Sequence, residues 1–145
     1  MQDFIVGETN KIFSKAIKRY AKQGGIEEEK VSILLYLFDE GEIDDNGEVI
    51  RSVGYRICHN YAPVFSVSIM DILGVKIDLR GYSFLVPPQI KKILEGFESE
   101  LGSSGVEVCV FLNREENDEV NYFLFSNSQF VKKFELEQVL NLQIT

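Results

Sequence analysis

The sequence predicts an α+β domain: a mostly antiparallel sheet of about six or seven strands, with two main helices packed on it and two short helices. Three observations lead there. Apolar residues alternate with others at period two in several short runs, the mark of a strand with one buried face. Elsewhere they recur at spacings of three and four, the mark of a helical face. Clusters of Gly, Pro and Asn separate the runs. The 145 residues, 45% of them hydrophobic, fit a single domain over residues 1–145 with a core of its own.

The first helix is expected over residues 10–23. Ile12, Phe13, Ala16, Ile17, Tyr20 and Ala21 form its apolar stripe, Thr9 or Asn10 caps it, and Gly24-Gly25 ends it. Its other face holds Lys11, Lys15, Lys18, Arg19 and Lys22, read as a solvated outer surface. Residues 26–30 are acidic and read as a loop. Val31 to Phe38 is apolar on both faces, which predicts a central strand covered on both sides. Residues 39–48 read as a turn-rich acidic loop, with Asp45-Asn46-Gly47 as its turn. A strand then returns through Val49 to Cys58.

Tyr61-Ala62-Pro63 reads as a turn or crossover. Residues 66–73 suggest a short helix capped by Ser68. Val75 to Leu79 and Tyr82 to Val86 form a hairpin about Arg80-Gly81. Pro87-Pro88 stops the second of these strands and starts the second main helix, since proline gives no N–H to a ladder and suits a helix start. Ile90, Ile93, Leu94, Phe97 and Leu101 make that helix's buried face, and Gly102 to Gly105 ends it. Val106 to Leu112, Val120 to Phe125 and Phe130 to Phe134 then form a meander. Lys132 and Lys133 suit a sheet edge. Leu136 to Leu142 closes as a short helix. The expected topology is one sheet with both main helices on one face.

A net charge of −8 argues against nucleic acid and against anionic membrane as partners, since both need a basic surface. It fits a cytoplasmic protein whose partner is basic. The first residues, MQDFIVGET, lack the basic and apolar regions of a signal peptide. The two cysteines, Cys58 and Cys109, read as buried free thiols. Phosphate-loop, dinucleotide, zinc-protease and serine-hydrolase motifs are absent, so no cofactor is expected. The loop Glu42, Asp44, Asn46, Gly47 begins like a calcium loop, but Val53 stands where a bidentate glutamate belongs, and no metal is expected.

Three functional readings follow. The first is a non-catalytic interaction domain, accessory or inhibitor-like. It would meet a basic protein through Asp44, Asp45 and Glu48 in one acidic segment and Glu115, Glu116 and Asp118 in another. The second is an anion or small-ligand site of Arg80 with Lys91 and Lys92, in the first turn of the second main helix, where free N–H groups and the helix dipole favour anions. The third is an enzyme using Cys58 and His59, although neighbours on a strand point to opposite faces. Homodimerisation through an edge strand is compatible with all three.

Overall fold

The structure, a computed structural model, describes residues 2–64, 87–116 and 119–139. In chain order these form α1 (Gln2–Gly24), a 3-10 turn (Glu28–Lys30), β1 (Val31–Ile43), β2 (Val49–His59), β3 (Ala62–Pro63), α2 (Pro87–Leu101), β4 (Val106–Leu112), β5 (Val120–Ser126) and β6 (Gln129–Phe134). Residues 136–139 add one helical turn. The six strands make one antiparallel sheet in the order β3-β2-β1-β4-β5-β6, curled into a half-barrel. The predicted meander is β4-β5-β6, and β6 with Lys132 and Lys133 is an edge.

Both helices pack on one face of the sheet. That face carries Val31, Ile33 and Leu35 from β1, Ile57 from β2, Val106, Val108 and Val110 from β4, and Tyr122 and Leu124 from β5. Against it lie Phe13, Ala16, Ile17 and Ala21 of α1 and Ile90, Ile93, Leu94 and Phe97 of α2. These are the stripes read from the helical spacing, and burying such side chains contributes roughly 1.5–3 kcal/mol each before chain entropy is charged.

Glycine ends both helices as expected. Gly25 at φ +62° lets Ile26 N–H reach Ala21 O at 2.9 Å, and Gly102 at φ +61° lets Ser103 N–H reach Glu98 O at 3.2 Å. Both are six-to-one closures over a left-handed residue. Two tight hairpins turn on non-glycine pairs. Asn60-Tyr61 and Asn127-Ser128 all have positive φ, between 51° and 67°, the type I′ geometry that matches strand twist.

Several expectations are corrected. Helix α1 does not begin at Thr9 or Asn10 but at Gln2, and both supposed caps are buried mid-helix, at 0% and 7% exposure. Asn10 is held there by partners distant in sequence. Tyr122 Oη donates to Asn10 Oδ1 at 2.6 Å, and Asn10 Nδ2 donates to Glu119 Oε2 at 2.7 Å. Residues 26–30 include a 3-10 turn. The first half of the acidic segment 39–48 is strand, because β1 runs on to Ile43, and the second half, residues 44–48, forms the turn. Beyond the Asn60-Tyr61 turn the chain adds the two-residue strand β3, where the sequence predicts only a turn or crossover. Of the six or seven strands expected, five are β1, β2, β4, β5 and β6, and β3 is the sixth described one. The predicted helix at 66–73 and hairpin at 75–86 lie outside the described residues, as does the part of the last helix beyond residue 139. Among the described residues no helix is long and apolar enough to cross a membrane.

Candidate functional site

The acidic segment is a projecting arm. Strand β4 pairs with β1 only from Ile33 to Tyr36, whereas β1 and β2 stay paired through Asp39↔Arg51 and again at Ile43↔Val49. Beyond Tyr36 the hairpin therefore leaves the sheet. Its register shifts between Asp39 and Ile43, where Gly41 takes φ +79° and donates its N–H to Asp39 Oδ1 at 2.6 Å. A bulge of this kind twists and re-aims a strand pair.

The tip is organised by Asp44. Its Oδ1 accepts the N–H groups of Asn46 and Glu48, each at 2.9 Å, while Gly47 N–H reaches Asp44 O at 3.0 Å with φ +80° at Gly47. Asp44 thus serves the turn itself. The carboxylates of Asp45 and Glu48 project from an exposed tip. At the base, Arg51 forms a two-armed pair with Glu98 of α2, Nη1 to Oε1 at 2.9 Å and Nη2 to Oε2 at 2.7 Å. That pair joins arm to helix, and forked pairing fixes geometry as well as charge. Ser52 Oγ donates to the Glu40 carboxylate part way along.

The arm also holds large apolar side chains in water. Ile43 is 69% exposed, its cross-strand partner Val49 50%, and Phe38 42%. Around them stand Asp39, Glu40, Glu42, Asp44, Asp45 and Glu48, with no base between residues 39 and 48. A two-stranded ribbon is marginal alone, so turn, bulge and basal ion pair are what keep this one in place.

The other predicted residues fall elsewhere. Glu115 and Glu116 are exposed on the loop after β4, at the opposite end of the sheet from the arm tip; Asp118 lies outside the described residues. Because α2 starts at Pro87, Lys91 and Lys92 sit past the first turn, where N–H groups already bond within the helix. Lys91 is half-buried and Lys92 exposed, and Arg80 lies outside the described residues.

Cys58 pairs with Ser32 and His59 with Val31, so the two side chains alternate across β2. Burial, with Glu107 nearby, pushes the Cys58 thiol up to about 11; burial likewise pushes Cys109 up to about 12. Both shifts oppose formation of a thiolate, the form a nucleophile needs. Among the described residues no three His, Cys, Asp or Glu side chains converge to hold a metal.

Sequence reasoning missed a second feature, on the sheet face opposite the helices. Cross-strand registers put Tyr36, Cys58, Glu107, Cys109, Phe111, Phe123 and Phe125 on that face. Its centre is closed, with Ser32, Cys58 and Cys109 buried. Toward β5 and β6 it carries a chain of rings. Tyr61 lies 5.6 Å from Phe111, Phe111 5.7 Å from Phe123, Phe123 6.2 Å from Phe130, and Phe130 5.8 Å from Phe125. The available signal was parity: Phe111, Phe123 and Phe125 alternate with core residues and belong to the opposite face. Comparison with protein-family models, with curated proteins and with solved structures finds no match.

Proposed function

We propose that this protein is a non-catalytic interaction domain that engages a basic protein partner through the arm formed by residues 37–53. The observation that supports it is the exposed Ile43–Val49 pair, with Phe38, held in solvent amid six carboxylates on a hairpin that leaves the sheet. Apolar side chains displayed this way are characteristic of contact surfaces, where apolar groups supply affinity and surrounding charges steer and select the partner. The carboxylates raise the on-rate for a basic protein, an effect that weakens with salt. An accessory or inhibitor-like role fits a small acidic domain that acts by occupying a partner.

The test is recovery of a stoichiometric partner by tagged protein at low and high salt, with variants. Glu42→Lys/Asp45→Lys/Glu48→Lys should lose the partner while leaving Asp44 and its turn intact. Ile43→Ser/Val49→Ser should lose it at both salts. Lys91→Ala/Lys92→Ala should retain it. Retention by both arm variants would refute the assignment.

A further inference from the structure

We propose that the ring chain Tyr61–Phe111–Phe123–Phe130–Phe125 is a second docking site, separate from the arm, and that it takes a lysine- or arginine-bearing peptide segment of a protein partner. Tyr61, at one end of the chain, is 67% exposed and Phe130, next to the other end, 58%, whereas Phe111, Phe123 and Phe125 are half-buried. A row of rings left partly in water offers π faces and edges to an incoming side chain.

Charge decides which side chain. The rings line one concavity with the 3-10 turn and the loop after β4. Glu27 is paired there with Lys30, and Glu29 with Arg114, which takes up that loop's base. Glu28, Glu115 and Glu116 have no cation partner among the described residues. Two lysines also line the concavity, Lys18 of α1 and Lys133 on the edge strand beside Phe123, fewer than the three unpaired carboxylates. Rings beside unpaired carboxylates suit a cation, which gains from the ring quadrupole and from the carboxylate together. The same carboxylates repel a phosphate backbone, so stacked nucleotide bases are disfavoured although the rings alone would accept them.

Titration of the protein, followed by NMR shifts of its aromatic side chains, tests the site. The probes are a short Lys–Gly repeat peptide, the matching Glu–Gly peptide and an oligo-thymidine strand. The Lys–Gly peptide should shift Tyr61, Phe111, Phe123 and Phe130, and the other two should not. Tyr61→Gly keeps the I′ turn, since glycine accepts the left-handed conformation that Tyr61 holds at φ 67°. It should weaken Lys–Gly binding roughly two- to fivefold, the share of one exposed ring. Glu115→Lys/Glu116→Lys should weaken it further, and the arm variants should leave it unchanged. No ring shifts with the Lys–Gly peptide at low salt would overturn the proposal. So would an equal response to oligo-thymidine, which would make the site a nucleic-acid platform. Ring shifts that depend on protein concentration without peptide would overturn it in favour of self-association.

Discussion

Gly54 lies at the base of the arm, and alanine there should loosen it. In β2, Gly54 sits opposite Tyr36 of β1. A Cβ at this position would lie 2.2, 2.5 and 2.6 Å from Cζ, Cε2 and Cε1 of the Tyr36 ring. The ring therefore lies across the glycine and must move by an ångström or more to admit a methyl group. In moving it gives up the bond from Arg56 Nε to its hydroxyl, 3.2 Å long, and its tilted contact with Phe38 at 6.2 Å. Over-packing costs about 1–3 kcal/mol, and a net hydrogen bond about 0.5–1.5 kcal/mol. Alanine recovers about 0.5–1 kcal/mol of backbone entropy in a strand. Gly54→Ala should thus destabilise by about 1–3 kcal/mol, read as a lower urea midpoint at unchanged slope. In a Tyr36→Ala background the same substitution should be neutral or stabilising, because nothing remains to clash with. Equal costs in both backgrounds would refute the reasoning, since the penalty would then not come from the ring.

Three further predictions concern the core and its pH dependence. Asn10→Ala leaves the buried Tyr122 hydroxyl without its acceptor and should cost about 1–3 kcal/mol; adding Tyr122→Phe should recover part of that in thermal melts. Tyr55 Oη is buried without a hydrogen-bond partner among the described residues, so Tyr55→Phe should leave stability unchanged or raise it. Burial raises the Glu107 carboxyl above the ordinary carboxylate value. Its contribution is therefore fully present below the unfolded-state value and lost as pH rises through the folded one. Glu107→Gln should stabilise at neutral pH, with the gain disappearing in acid; a gain independent of pH would contradict the burial argument.

The parts of the fold legible in the sequence are those set by local rules. Helix α2 follows from Pro87-Pro88, its apolar spacing and Gly102. The meander follows from period-two runs separated by Asn-rich turns, and Lys132 with Lys133 marks its edge. The start of α1 is not legible locally, because Thr9 and Asn10 are good caps by local rules. What places Asn10 inside the helix is Tyr122 and Glu119, more than a hundred residues away. The acidic run of the arm predicts a loop, because Asp and Glu disfavour strands. Its extension rests on pairing with 49–53, on Asp44 at the tip and on Arg51 bound to Glu98, all of which require the fold. The acidity of the arm was visible in the sequence; its exposed apolar pair depends on where the sheet stops. The ring chain gathers side chains from the β2–β3 turn and three strands, and only the parity on β4 and β5 announced it.

Hydrogen exchange on the protein, alone and with the partner recovered at low salt, tests the central claim most directly. The amides of residues 39–48 sit on a two-stranded arm and should exchange early in the free protein. The account predicts that partner binding slows them markedly, with little change in the already protected amides of β4. Unchanged exchange in the arm, with slowing confined to another surface, would show that the partner docks elsewhere and would contradict the assignment.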